Sequence, residues 1–235
     1  VICVTHGHEE HFLDTPAVAA ATGATVVSSP AVTRFLEKRS KLAPGKLVAL
    51  RPFEATEQAG LRITAFHWQH RDINLPKALA KALFQGNTTQ LAWAWHSATQ
   101  APFYAPYMGF HVVLPSGLRV LNYNEGLNTK MTDAEIADLA ARLPADVLLA
   151  GMQLHFMADV ARGAAAFKPR VVVLYPPHEK FHEMMGATSA PWSEFAAAVR
   201  ERVPQAQVVV AVPGTAVDAA SGAALPDHAP AMLAA

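Results

Sequence analysis

Apolar runs and the breaks between them predict alternating strands and helices. Val1-Ile2-Cys3-Val4 is a continuous apolar run and reads as a buried strand over 1–5. An alanine-rich helix follows over 17–22, with Gly23 as its stop. Ala24–Ser28 reads as a strand. Ser29-Pro30 then opens a helix to about Arg39, serine being a good N-cap and proline suiting the first turn. Pro44-Gly45 marks a turn before a short strand over 46–50. Gly60–Phe66 alternates apolar and polar positions in part, a strand signal, and a short helix is predicted over 77–84. Residues 85–108 have poor periodicity and many aromatics (Trp93, Trp95, Phe103, Tyr104, Tyr107). They are read as an irregular excursion, either a lid or pocket wall or a satellite hydrophobic cluster. Phe110–Leu114 and Arg119–Tyr123 flank Pro115-Ser116-Gly117 as a hairpin, and Thr132-Asp133-Ala134-Glu135 has the capping-box form that starts a helix to about Arg142. A strand over 146–150, a helix over 158–167, a β-branched strand over 171–175, a helix over 192–203 and a strand over 207–212 complete the pattern. Strands alternate with helices in the second half and hairpins sit in the middle. The fold class is therefore α/β with a mixed sheet, one domain over 1–217 and an Ala/Pro-rich tail over 218–235, poorly ordered from Ser221 on.

Composition narrows the class of partner. A chain of 235 residues with 51% hydrophobic and 16% charged residues has the makings of a sizeable packed core. Nineteen basic and nineteen acidic residues give a formal net charge of zero, with no long basic block, so nucleic acid is not favoured and a small-molecule substrate is expected. The single cysteine, Cys3, excludes a disulfide within the chain, counts against a Cys-based zinc site, and is read as a small buried hydrophobe. No apolar stretch approaches the roughly 20 residues that span a bilayer. No signal peptide is visible, so a cytoplasmic location is expected. The first residue is Val, so the true start of the chain is expected to lie upstream.

The chemistry is concentrated in Thr5-His6-Gly7-His8-Glu9-Glu10-His11, directly behind the first apolar run. Histidines at i, i+2 and i+5 beside two acids favour a metal site over a polar loop with incidental histidines. Neutral imidazole is the commonest metal ligand, and carboxylates complete zinc, iron or manganese sites. Further ligand types stand at three later strand ends: His70, Glu125 and His178.

The order of these four motifs resembles the metallo-β-lactamase superfamily, whose signature is His-x-His-x-Asp-His after a strand, then a lone His, an Asp and a final His after later strands. Here His6-Gly7-His8-Glu9-Glu10-His11 matches the first motif. Gly60–His70 matches the second, with His67 competing with His70. Leu118–Gly126 matches the third and Val171–His178 the fourth. The likeness covers residues 1 to about 217. The stretches Ile63-Thr64-Ala65-Phe66 before His70 and Lys168-Pro169-Arg170-Val171-Val172-Val173 before His178 point within it to the lactonase and phosphodiesterase-like branch. The resemblance implies an α/β/β/α sandwich and two metal positions: His6, His8 and His70 at the first, Glu10, His11 and His178 at the second, Glu125 between. Zinc is the first choice of metal, with iron or manganese as alternatives. The metals would polarise a carbonyl or phosphoryl oxygen and activate water.

Three departures from the pattern matter. Both motif aspartates are glutamates here, Glu10 and Glu125, each reaching roughly 1.3 Å further. Asn124 and Gly126 replace the usual Gly and Thr around the bridging acid. Strands that precede the histidine motif in the family are expected to be missing, through truncation or because a separate segment or an oligomer supplies them; a bare sheet edge would otherwise invite aggregation.

Glu10 and His155 are the candidate catalytic side chains, and Trp68, Tyr104 and Tyr107 the candidate substrate contacts. Trp68 is equally readable as an ordinary packed aromatic. His67 and His182 read as surface histidines, and Asp72 as a partner orienting His70. The expected activity is metal-dependent hydrolysis of an ester, lactone or phosphoester. An iron-dependent, oxygen-using enzyme on the same fold and a non-catalytic subunit retaining the fold are the alternatives.

Overall fold

The computed structural model describes residues 1–71, 80, 82–176, 182, 187–211, 215–218, 221 and 223–225. The first apolar run forms β1 (Ile2–Cys3), parallel to β2 (Val26–Ser28), which is parallel to β3 (Leu47–Ala49). Between β1 and β2 lie α1 (Glu9–Phe12) and α2 (Thr15–Thr22), the latter stopped by Gly23 in the left-handed region at φ 67°. Between β2 and β3 runs α3 (Pro30–Arg39), whose N-cap Ser29 accepts the Val32 N–H.

A second sheet holds seven strands in the order β10 (Gln207–Val210), β9 (Val171–Tyr175), β8 (Val147–Gly151), β7 (Arg119–Asn122), β6 (Met108–Val113), β5 (Leu61–His67) and β4 (Ala55–Gln58). From β4 to β7 the pairs are antiparallel, and from β7 to β10 they are parallel. Parallel neighbours need crossovers, which are α5 (Asp133–Arg142), α6 (Met157–Phe167) and α7 (Trp192–Arg202).

Side-chain alternation builds four layers. On β2, Val26 enters the core under the first helices with Phe12, Val32 and Leu36. Its neighbour Val27 points the other way, into a core between the sheets with Leu50, Ile63, Ala65, Met108 and Phe110. On β5, Ile63 and Ala65 belong to that inter-sheet core, whereas Phe66 joins the largest core with Leu121, Leu148, Val172 and the helix residues Ile136, Val160 and Phe195. The result is helices, sheet, sheet, helices. Cys3 is half-buried against the inter-sheet core, and burial pushes its thiol up to about 11.

The structure corrects the reading of residues 85–108. In place of an irregular excursion, Thr88–Gln100 forms a thirteen-residue helix, α4. Its start is set by Asn87, whose side chain accepts the Gln90 N–H; its apolar pattern is poor because Gln90 is its one buried residue. The edge strand β4 was not predicted either, since Ala55–Gln58 carries no apolar stripe. Of the helix expected over 77–84, residues 80 and 82–84 are helical and the others lie outside the described residues. The boundary drawn at 217 falls inside an antiparallel pair of β11 (Ala216–Val217) with β12 (Ala224–Leu225). Among the described residues no helix is long and apolar enough to cross a membrane.

Candidate metal centre

Three strand ends meet at the first histidine motif. Beyond β1, the Thr5 carbonyl accepts the Met108 N–H at 2.7 Å, tying this end to the start of β6; beyond β5, Trp68 N–H donates to the Tyr107 carbonyl at 3.2 Å. The glycine of His6-Gly7-His8 is required sterically, because a Cβ there would lie 2.1 Å from the Pro102 carbonyl oxygen. The backbone can thus lie against the Pro102 carbonyl, and His6 is fully buried.

Ligand atoms of His6, His8 and His70 all lie within 4.8 Å of one another. His70 Nδ1 donates to the Arg71 carbonyl at 2.7 Å, which leaves Nε2 as its inward atom, 2.5 Å from Glu125 Oε1. His6 Nδ1 lies 3.1 Å from Thr5 Oγ1, whereas its Nε2 is buried with no hydrogen-bond partner among the described residues. An orphaned imidazole nitrogen in a wall of imidazoles is costly unless something accepts its lone pair or its proton. A divalent cation meets that need, and the donor set of imidazoles and carboxylate suits zinc, iron or manganese. The residues therefore fit the metal that the motif implies.

Around this trio sit the acids. Glu10 Oε1 lies 3.8 Å from His8 Nδ1 and 3.9 Å from His11 Nε2, and Glu10 Oε2 is buried with no hydrogen-bond partner among the described residues. The His6 and His11 rings stand 4.4 Å apart. Glu125 Oε2 accepts from Arg71 Nη1 at 2.7 Å, and Arg71 Nη2 donates to Asp159 Oδ2 at 2.6 Å. Burial, with the charges of the neighbouring histidines, holds His6 well below the usual imidazole range and His8 down at about 4. Burial raises Glu10. Burial alone would raise Glu125 and lower His70, but their mutual hydrogen bond and charge outweigh it, so Glu125 is held low and His70 is held high.

The remaining sequence candidates divide. Tyr107 joins the cluster: its hydroxyl is 3.3 Å from His8 Nε2, and its ring centroid is 5.0 Å from those of His6 and His70. Trp68, 1% exposed, backs the histidines from behind, its ring 5.6 Å from His6 and stacked 6.0 Å from His70. Gly126 makes room for it, since a Cβ there would meet Trp68 Cγ at 2.4 Å. Tyr104 is 66% exposed and packs on Phe103, not on the histidines. His155 is exposed in the turn before α6, and His67 is exposed at the end of β5. His182 Nδ1 lies 2.9 Å from Ser189 Oγ. His178 and Asp72 lie outside the described residues; among the described residues it is the Arg71 carbonyl that accepts from His70 Nδ1. Asn124 takes φ 54°, a left-handed conformation that asparagine tolerates better than most non-glycine residues, which explains how it stands where the family pattern has Gly.

The sequence reading missed several residues. Arg71 grips Glu125 and is itself held by Asp159. Asn128, fully buried, donates from Nδ2 to the carbonyls of Gln69 and Glu125, joining the second and third motif loops. Glu9 faces away from the trio and holds α4: its carboxylate lies 2.7 Å from His96 Nδ1 and accepts from Ser97 Oγ at 2.7 Å. The proximity of Glu9 to the histidines was the one local signal for any of these.

No protein-family profile and no curated protein matches this sequence. Solved structures do match. Igni18, a metallo hydrolase from the hyperthermophilic archaeon Ignicoccus hospitalis, is 17% identical with a TM-score of 0.61, over 95% of this chain and 77% of its own. YhfI from Bacillus subtilis, a metallo-β-lactamase fold protein, is 10% identical with a TM-score of 0.56, over 89% of this chain and 73% of its own. CmlA, a diiron β-hydroxylase from Streptomyces venezuelae, is 13% identical with a TM-score of 0.55, over 89% of this chain and 43% of its own. The four-layer arrangement is the metallo-β-lactamase fold, shared here with a metallo hydrolase and with a diiron hydroxylase.

Proposed function

We propose that the protein is a metal-dependent hydrolase acting on an ester, lactone or phosphoester. His6, His8 and His70 would hold one divalent cation, zinc as first choice. Glu10 and His11, together with His178, are the groups for a second, with Glu125 beside the first. The observation that carries this reading is the convergence of the three imidazoles, with His6 Nε2 buried and, among the described residues, without a hydrogen-bond partner. A cation bound there supplies Lewis acidity and water activation at neutral pH.

The chain's own groups have defined tasks around it. The low proton affinity of His6 and His8 keeps their lone pairs available. The Arg71 carbonyl fixes the tautomer of His70. Glu10, raised by burial and with Oε2 unpartnered among the described residues, is the group suited to hold and return a proton, and it is the catalytic assignment. The Tyr107 hydroxyl, beside His8 Nε2, is the side chain set to contact a substrate oxygen. His155 is kept as a substrate contact of the exposed turn before α6, and Tyr104 as an outer wall.

The two glutamates favour a second reading, an iron-dependent enzyme that uses oxygen, because carboxylate-rich imidazole sites also suit iron. One experiment separates the two. The purified protein is analysed for metals, then assayed on aryl esters, lactones and an aryl phosphodiester, and in parallel for oxygen consumption under reducing conditions. Zinc content with hydrolysis abolished in His8→Ala supports the first reading; stoichiometric iron with oxygen uptake and no hydrolysis replaces it with the second.

A further inference from the structure

Arg71 follows the ligand His70 directly, and its guanidinium is held from three sides. Nη1 donates to Glu125 Oε2 at 2.7 Å, Nη2 donates to Asp159 Oδ2 at 2.6 Å, and the guanidinium carbon lies 3.6 Å from the Phe156 ring centroid. Its side chain is 15% exposed, that of Glu125 8% and that of Asp159 12%. The two oxygens of Glu125 are thereby divided: Oε1 faces His70 Nε2 and Oε2 belongs to Arg71.

We propose that Arg71 is a positioning residue of the metal centre, taking one carboxylate oxygen of Glu125 so that a single oxygen, Oε1, is presented beside His70. The proposal rests on the metal-centre reading above. It also gives the extra methylene of Glu125 a purpose. An aspartate, shorter by roughly 1.3 Å, would not span from His70 Nε2 to the guanidinium, whereas glutamate does. Arg71 is itself aimed from a distance. Asp159 in the first turn of α6 and Phe156 just before it fix the fork, so the loop after β8 sets the carboxylate on the loop after β7. The planar fork matters here, because a lysine ammonium has no rigid geometry with which to grip two carboxylates at once.

The test is a double-mutant cycle read in metal affinity and in spectrum. Zn²⁺ affinity is measured by competition with a chromophoric chelator for the wild-type chain, Arg71→Met, Glu125→Gln and the double variant; Co²⁺ absorption is recorded for each. Partners of metal ligands typically contribute 10- to 100-fold in affinity. Arg71→Met is expected to weaken Zn²⁺ binding at least about tenfold and to alter the Co²⁺ bands. In the Glu125→Gln background, which keeps the three imidazoles, the same change is expected to have under about threefold effect, because the residue acts through that carboxylate. Arg71→Lys is expected not to restore affinity. Should Arg71→Met fail to fold by circular dichroism, Asp159→Asn takes its place in the cycle with the same expected pattern. Equal Zn²⁺ affinity in wild type and Arg71→Met, or an equal loss in both backgrounds, overturns the role and leaves Arg71 a structural staple. Wild-type protein that takes up neither Zn²⁺ nor Co²⁺ overturns the metal-centre reading, and this role with it.

Discussion

An imidazole that serves a cation must keep its lone pair, and His6 and His8 are buried in a way that enforces this. An unfolded chain accepts a proton on such a histidine near pH 6.5, whereas in the fold His8 accepts it near 4. Below 6.5 the unfolded state therefore binds more protons, and the fold loses stability as pH falls. With metal removed by a chelator, His8 alone is expected to lower stability by about 3 kcal/mol between pH 7 and pH 4. His8→Gln flattens that slope in urea titrations; equal slopes in both proteins would contradict the account. Glu125→Asp is a second test at this scale. Its shorter side chain leaves His70 or Arg71 unmatched, and a loss of about 1–3 kcal/mol is expected in denaturant unfolding. The cluster of His6, His8 and His70 was legible in the sequence because its chemistry is local: residue type and spacing announce it. The Arg71 clamp was not, since Asp159 stands 88 positions away and an arginine beside a histidine carries no signal of its own.

Elements were legible where hydrophobic periodicity or cap chemistry declared them. The Thr132 capping box is present in full, with Glu135 accepting the Thr132 N–H at 2.7 Å and Thr132 Oγ1 accepting the Glu135 N–H at 3.2 Å. Thr132→Ala is expected to lower stability by about 1 kcal/mol, with unchanged metal content. Helix α4 was missed because tertiary polar contacts, not an apolar stripe, hold it in place. Ser97 and His96 grip Glu9, whose side chain is 12% exposed. Ser97→Ala removes a hydrogen bond to a carboxylate, of about 1.5–3 kcal/mol in typical cases. Amide exchange across 88–100 is therefore expected to rise by at least about tenfold while Zn²⁺ binding stays as in wild type. A parallel fall in Zn²⁺ binding would move Glu9 into the ligand set.

For the whole molecule, strand direction explains how candidate ligand residues so distant in sequence are carried toward one edge. β5 and β7 both run opposite to β6, so they run the same way, and β8 and β9 are parallel to β7. The ends of β5, β7 and β9 therefore lie at one edge, and the end of β1 is fastened to the same edge through Thr5 and Met108. The order of the four motifs made this edge readable from the sequence, and the two-sheet, four-layer fold with it. The reach of the two glutamates was not readable, because it depends on where strand ends and rotamers settle. The central claim is that this edge holds a metal on His6, His8 and His70. Elemental analysis of the purified wild-type chain beside His8→Ala tests it most directly. The account predicts at least about one equivalent of zinc, iron or manganese per wild-type chain, lost in His8→Ala with an unchanged circular dichroism spectrum. A wild-type chain that holds no metal after incubation with Zn²⁺, Fe²⁺ or Mn²⁺, or a His8→Ala chain that holds as much as wild type, would contradict it.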